Sequence, residues 1–207
     1  MSCPPSLPPH SNHFGIPTQQ AFNPTQFKNA IEQLLSACGI DTKNAHMHKT
    51  AQRVCDLWEK RLLGGYETDP GEVLGQGFED PREDVVLIKG IAVHGICPHH
   101  LVPFKGLAHV AYIPGGRLHG FGGIARMVDA LGHRFTYQEW LTRDIADAMV
   151  EFGKAKGAAC VLEAEQLCLL LGEDRRGDEQ VCTQAFSGIF QESESLRNEF
   201  FSLLKNP

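Results

Sequence analysis

Long apolar runs are missing from this chain of 207 residues. No stretch approaches the roughly 18 apolar residues of a membrane-spanning helix, so no membrane partner is expected. A positive excess is missing as well: 19 Lys and Arg stand against 25 Asp and Glu, giving a net charge of -6. A general nucleic-acid binder needs a basic face to displace counterions from phosphates, and no such face is evident. The first twenty residues carry no apolar segment long enough for the core of a secretory signal. A disulfide pattern is also absent. The 7 cysteines are odd in number and irregularly placed, at Cys3, Cys38, Cys55, Cys97, Cys160, Cys168 and Cys182. Several lie inside apolar segments, as buried free thiols do, and a reducing cytoplasm is the expected setting.

What is present suits one compact domain with a sizeable core. Residues 1–24, rich in Pro, Ser, His and Asn, read as a flexible tail, with His10 and His13 solvated rather than metal-bound. An N-terminal helical region is expected over 25–82. Phe27, Ile31, Leu34, Leu35 and Cys38 share one face of a helix that Gly39 ends. A second helix is expected over 50–63, with Val54, Leu57, Trp58 and Leu62 inward and Gly64-Gly65 as its stop. Residues 65–82 read as a polar loop.

The last region, 83–207, begins strand-like. VVLIKGIAV and the run Lys105–Ile113 are short and β-branched. Helices are expected at 122–133 and 138–156, and strands at 158–171 and 180–190, separated by the turn-like GEDRRGDE. A final helix should bury Leu196, Phe200, Leu203 and Leu204. This order predicts an α+β fold in which two antiparallel β-hairpins flank a helical pair. Such a sheet has open edges and one apolar face to cover, and association into a closed ring would solve both problems.

Cys97-Pro98-His99-His100 puts a thiol and two imidazoles within four residues, just after a strand. A Cys-x-x-His pair can close on one tetrahedral zinc through a tight turn. A third ligand must come from a distant segment, and Cys168 is the best candidate. Two-residue strand alternation would put it on one face with Leu162, Ala164, Gln166 and Leu170. Cys160, Cys182 or His99 could close the site instead. Three protein ligands leave a fourth position for water, the layout of a catalytic rather than a structural zinc.

At CPHHLVPFKGLAHVAYIP the chain resembles GTP cyclohydrolase I, a family of the tunnelling fold. The likeness continues through LHGFGGIARMVDALGHR, TYQEWLTRDIA, EAEQLC and FSGIFQESESLRNEFFSLL. The resemblance implies stacked pentameric rings of one chain, with sites between subunits. It matches the zinc ligands to Cys97, His100 and Cys168, and the adjacent catalytic histidine to His99. It matches the guanine-anchoring acid to Glu139, preceded by Gln138. On its own pattern, Thr136-x-x-Glu139 reads instead as a capping box at a helix start. The phosphate-side arginines match Arg126 and Arg53. The implied reaction is hydrolytic opening of the guanine imidazole ring at C8, then loss of formate and rearrangement to dihydroneopterin triphosphate.

Four places depart from the family pattern. A second catalytic histidine is replaced by Gln166, which cannot carry a proton near pH 7. Gly122-Gly123 stands where the family has Ser-Lys, Gly172 where it has an arginine, and Asp56 where it has a lysine. Gly122 and Gly123 could still offer backbone amides to one anion. The expected function is therefore a zinc hydrolase opening a guanine-type purine, with fewer phosphates on its substrate or a truncated reaction. Two alternatives stand beside it. One is an ordinary GTP cyclohydrolase I, its missing charges supplied by Arg175, Arg176 or a neighbouring subunit. The other is an inactive purine- or pterin-binding paralogue.

Overall fold

The computed structural model describes residues 14–18, 20–172 and 179–205. His10, His13, Arg175, Arg176 and most of the GEDRRGDE run lie outside them. The architecture is α+β, built on a four-stranded antiparallel sheet: β2 (Val86–Ile96), β3 (Pro103–Ile113), β5 (Gly157–Gln166) and β6 (Val181–Gly188), in the order β2-β3-β5-β6. The two expected hairpins thus join through β3 and β5 into one sheet. A two-stranded ribbon pairs β1 (Phe78–Glu79) with β4 (Arg117–Leu118).

The helical pair between the hairpins is α4 (Phe121–Gly132) and α5 (Gln138–Glu151). Ile124, Met127, Leu131, Leu141, Ile145 and Met149 close over the Val93, Ala108, Val110, Cys160 and Leu162 face of the sheet, all nearly or fully buried. Strict alternation along β2 would put Ile88 and Ile91 on opposite faces. A register shift between them, with Gly90 at φ 74, lets Ile88 and Ile91 both meet the helices. The opposite face is not wholly bare. Ala111, Ile113, Ala159 and Val161 pack there against Phe190 of α7 (Ile189–Glu192) and Phe200 of α8 (Glu194–Lys205). Of the residues expected to be buried by the last helix, Leu203 is 38% exposed.

The N-terminal region differs more from expectation. α1 (Pro24–Ala37), capped by Asn23, buries none of its residues in its own chain and leaves Leu34 58% exposed. α2 (Thr50–Leu57) gives way to a π turn over Trp58–Leu62, and Leu57, expected inward, is 50% exposed. The expected loop at 65–82 holds α3 (Pro70–Leu74), whose N-terminus is capped by Asp69 accepting from the Gly71 and Glu72 amides.

Nor is all of the proposed tail loose. The Arg134 side chain is buried and donates to the carbonyls of Phe14 (3.1 Å), Thr68 (3.2 Å) and Ala130 (2.9 Å). The Ile16 amide donates to Phe135 O at 2.7 Å, and the Gly15 amide donates to Asp144 Oδ2 at 3.1 Å. Burial, with Asp147 adding, pushes the Asp144 carboxyl up to about 7. A folded-state value above the unfolded one, near 4, gives stability that is present below about pH 4 and lost as pH rises through about 7. Asp144→Asn keeps an acceptor for Gly15 and removes the titration. Thermal melts should show it more stable than the parent at pH 8, on the order of 1–3 kcal/mol, and unchanged near pH 4. Parallel pH profiles for the two proteins would contradict this.

Candidate metal centre

Three chain segments meet at the open end of the sheet. The first is the turn from β2 to β3, where the Cys97 amide donates to Val102 O (3.0 Å) and the Leu101 amide to Cys97 O (2.9 Å). Leu101 closes this turn at φ 57, a left-handed conformation costing a side-chain-bearing residue roughly 1–2 kcal/mol. The second is the connection from α4 to α5. The Thr136 amide donates to Ile96 O at 3.1 Å, which pins this segment beside the end of β2 and sets Tyr137 and Glu139 next to the Cys97 turn. The third is the end of β5, where Gln166 pairs with Phe104.

Beyond Gln166 the expected strand stops. β3 begins only at Pro103, so the ladder runs out of partner, and the chain winds into the short helix α6 (Leu167–Leu170). Cys168 therefore reaches the site from a helical turn and not by strand alternation. It arrives where expected nonetheless: the donor atoms of Cys97, His100 and Cys168 all lie within 4.8 Å of one another. Among the described residues no other group of three His, Cys, Asp or Glu does so. Cys160, an alternative third ligand, is wholly buried in the core, and Cys182 is exposed on β6.

This donor set suits zinc. Around a tetrahedral ion with bonds of about 2.0–2.3 Å, ligand atoms stand roughly 3.3–3.8 Å apart, so small side-chain rotations would close the three donors on one. Burial raises the Cys168 thiol pKa, and the adjacent Cys97 sulfur, hydrogen-bonded to it, raises it further by repelling a second negative charge. A divalent cation between the sulfurs removes that repulsion, and two thiolates with one imidazole are ligands zinc favours.

The cluster opens on a cavity of about 250 Å³, whose lining includes Cys97, His99, Thr136, Tyr137, Gln138, Glu139, Gln166 and Cys168, with Phe104, Leu169 and Val181 as its aliphatic and phenyl part. The exposed His99 ring is hydrogen-bonded through Nε2 to the Tyr137 hydroxyl at 3.1 Å. Tyr137 was not anticipated from the sequence. Its only signal was its place in TYQE, between the Cys97 turn and Glu139.

The capping box at Thr136 does not form. α5 starts at Gln138 with Tyr137 as its N-cap residue and no side-chain cap, and the Thr136 hydroxyl donates to Tyr137 O instead. Glu139 is exposed on the cavity wall. Gln138 is buried, with both ends of its amide committed. Nε2 donates to Leu162 O (2.9 Å), Val181 O (2.8 Å) and Thr183 Oγ1 (3.2 Å), while Oε1 accepts from Gln166 Nε2 at 2.6 Å.

None of Arg53, Arg126, Gly122 and Gly123 lines this cavity. Arg53 and Arg126 are exposed on α2 and α4. Gly123 is buried against α3, where a Cβ would stand 2.4 Å from Leu74 O, and its amide already donates to Gly120 O at 2.8 Å. Of the glycine pair, only Gly122 is left to offer an amide to an anion. Asp56 is partly offset by Lys60 at 3.4 Å.

A family model for GTP cyclohydrolase I matches residues 27–205. The chain belongs to the GTP cyclohydrolase I family. A relative from Ralstonia nicotianae, GTP cyclohydrolase 1, is 59% identical over 92% of this chain and 91% of its own length. A GTP cyclohydrolase 1 from Chromobacterium violaceum is 59% identical over 89% of each chain, and one from Corynebacterium glutamicum is 37% identical over 94% and 98%. The Cys97, His100 and Cys168 cluster thus sits in a member of a hydrolase family, within the matched residues.

Proposed function

We propose that this chain is a zinc-dependent hydrolase that opens the imidazole ring of a guanine-type purine at C8. The observation carrying this reading is the convergence of Cys97, His100 and Cys168 on a cavity that also holds His99 and Glu139. Zinc bound by these three ligands supplies a Lewis acid and a water whose pKa falls toward about 7. Glu139, free of the helix cap, accepts hydrogen bonds from the guanine edge, the planar bidentate contact a carboxylate makes well. His99, its ring held by Tyr137, moves protons near purine N7. Phe104, Leu169 and Val181 offer apolar surface to the ring.

Gln166 sets how far the reaction runs. Formate release and ribose rearrangement each need further proton transfers, and a positioned acid or base is worth about 10²–10⁴-fold at each. An amide cannot supply them. The expected product is a formamidopyrimidine or its deformylated form, read by mass spectrometry after incubation with GTP, GMP, guanosine and guanine. A second reading, the complete reaction to dihydroneopterin triphosphate, is favoured by the names of the relatives at 59% identity. The same incubation decides, since robust formation of fluorescent neopterin by the native protein would refute truncation.

The site is proposed to lie between subunits of a homo-oligomeric ring. Supporting this, α1 is only partly covered by its own chain, with Leu34 58% exposed, and β2 and β6 leave the sheet with two open edges among the described residues. Arg53 and Arg126 would then serve a neighbour's cavity. Light scattering at micromolar concentration should report a multimer, and a monomer would count decisively against the assignment.

A further inference from the structure

Side-chain amides are ambiguous in isolation, because oxygen and nitrogen can be exchanged by a half-turn. At Gln138 the surroundings remove the ambiguity. One end of its amide lies 2.9 Å from Leu162 O and 2.8 Å from Val181 O. Backbone carbonyls only accept, so the atom between them is nitrogen. Thr183, itself hydrogen-bonded to Thr142 at 2.6 Å, completes the pocket around that nitrogen. The Gln138 oxygen must then face Gln166, and it can be satisfied there only by a donor. Gln166 meets it with Nε2 at 2.6 Å, which leaves the other end of the amide, an acceptor, on a residue that lines the cavity.

We infer that Gln138 is a positioning residue whose fixed amide turns Gln166 Oε1 into a hydrogen-bond acceptor for the hydrated purine ring. This rests on the ring-opening reading above. A purine nucleotide offers no donor at C8 or N7 before water adds. Addition across the C8=N7 bond forms a C8–O bond and delivers one proton of the water to N7, so both an O–H and an N–H appear at the reacting atoms. A fixed acceptor at that place favours the species near the transition state over the ground state. Interactions of that kind appear in kcat and leave KM alone. The amide can thus assist hydration although it cannot relay the protons that later steps require.

The test is a series at position 166 and a cycle with position 138, assayed for ring-opened product, zinc content and melting temperature. Gln166→Met removes the acceptor, and Gln166→Glu at pH 8 sets two acceptors face to face. Each is expected to lower kcat about 10- to 100-fold with KM within about twofold. Gln166→His, which can donate to Gln138 with one ring nitrogen and accept with the other, should keep kcat within about threefold or raise it. Gln138→Met should lower kcat in the native background and add little on Gln166→Met. Equal losses from Gln138→Met in both backgrounds, or a kcat within twofold of native for Gln166→Met or Gln166→Glu, overturn the inference. If Gln138→Met does not fold, the position 166 series decides alone. Failure of the functional reading looks different: the native protein itself gives no ring-opened product. The orientation is then judged from a crystal structure of Gln166→Glu at pH 8, expected to show residue 166 swung away from Gln138. A carboxylate still in contact with Gln138 Oε1 sinks the inference.

Discussion

Replacing Cys168 with alanine is expected to strip the protein of zinc and of hydrolytic activity while leaving its fold in place. Structural zinc sites bind with about 10–16 kcal/mol through four ligands, so each ligand carries roughly 3–4 kcal/mol, or about 10²–10³ in affinity. Zinc after dialysis should fall from near one per subunit to below about a tenth. The fold should survive because Cys168 lies on the short α6, only partly buried and outside both hydrophobic clusters. Cys160→Ala is the matched control. That thiol is wholly buried in the core, and burial holds its pKa far above the ordinary range. Its loss should cost stability, about 1–3 kcal/mol for a small cavity, and leave zinc untouched. Equal zinc in Cys168→Ala and the parent would sink the ligand assignment.

The contrast between these two cysteines shows what was legible in the residues themselves. Cys97 and His100 were readable because one turn joins them, and turns are local. Cys168 comes close to Cys97 and His100, but not by the route expected: strand alternation was extended past Gln166, where β3 no longer offers a ladder. The strands and long helices were legible through their apolar periods. α3 was not, because five residues make little more than one turn and show no period, although Asp69 and Pro70 carried its cap signal. The docked segment 14–18 escaped for another reason. It is held by Arg134 and Asp144, more than a hundred residues away, and composition cannot register such partners. The Gln138–Gln166 contact is hidden in the same way. Both amides look like ordinary polar residues until the pairing of β5 with β3 and β6 places carbonyls around one of them.

Guanosine or GMP is expected to bind at least as tightly as GTP. The resemblance to the family puts lysine, serine, lysine and arginine where this chain has Asp56, Gly122, Gly123 and Gly172. Charge-assisted contacts to phosphate contribute about 1.5–3 kcal/mol each, so the loss of the lysine at 56 and the arginine at 172 alone is expected to weaken triphosphate binding by roughly two to four decades. The fold adds a constraint at one of these places. A Cβ on Gly123 would stand 2.4 Å from Leu74 O, so a lysine cannot return there without moving α3 away from α4. Gly172 is different: it is exposed, and its nearest neighbours to an added Cβ are the Cys168 and Leu169 carbonyls at 3.3 and 3.5 Å. Asp56 lies on the accessible side of α2, held among the described residues by Gln52 and Lys60. The double variant Asp56→Lys, Gly172→Arg should therefore recover GTP affinity by about 10²–10⁴ with little effect on guanosine. Its gain should shrink as salt is added, because exposed charges are screened within about 10 Å at 0.1 M. Titrating GTP, GMP and guanosine at fixed low salt against both proteins measures this directly. If the native protein binds GTP tenfold more tightly than guanosine, a working triphosphate clamp already exists, and the complete GTP cyclohydrolase reaction becomes the better reading of the site.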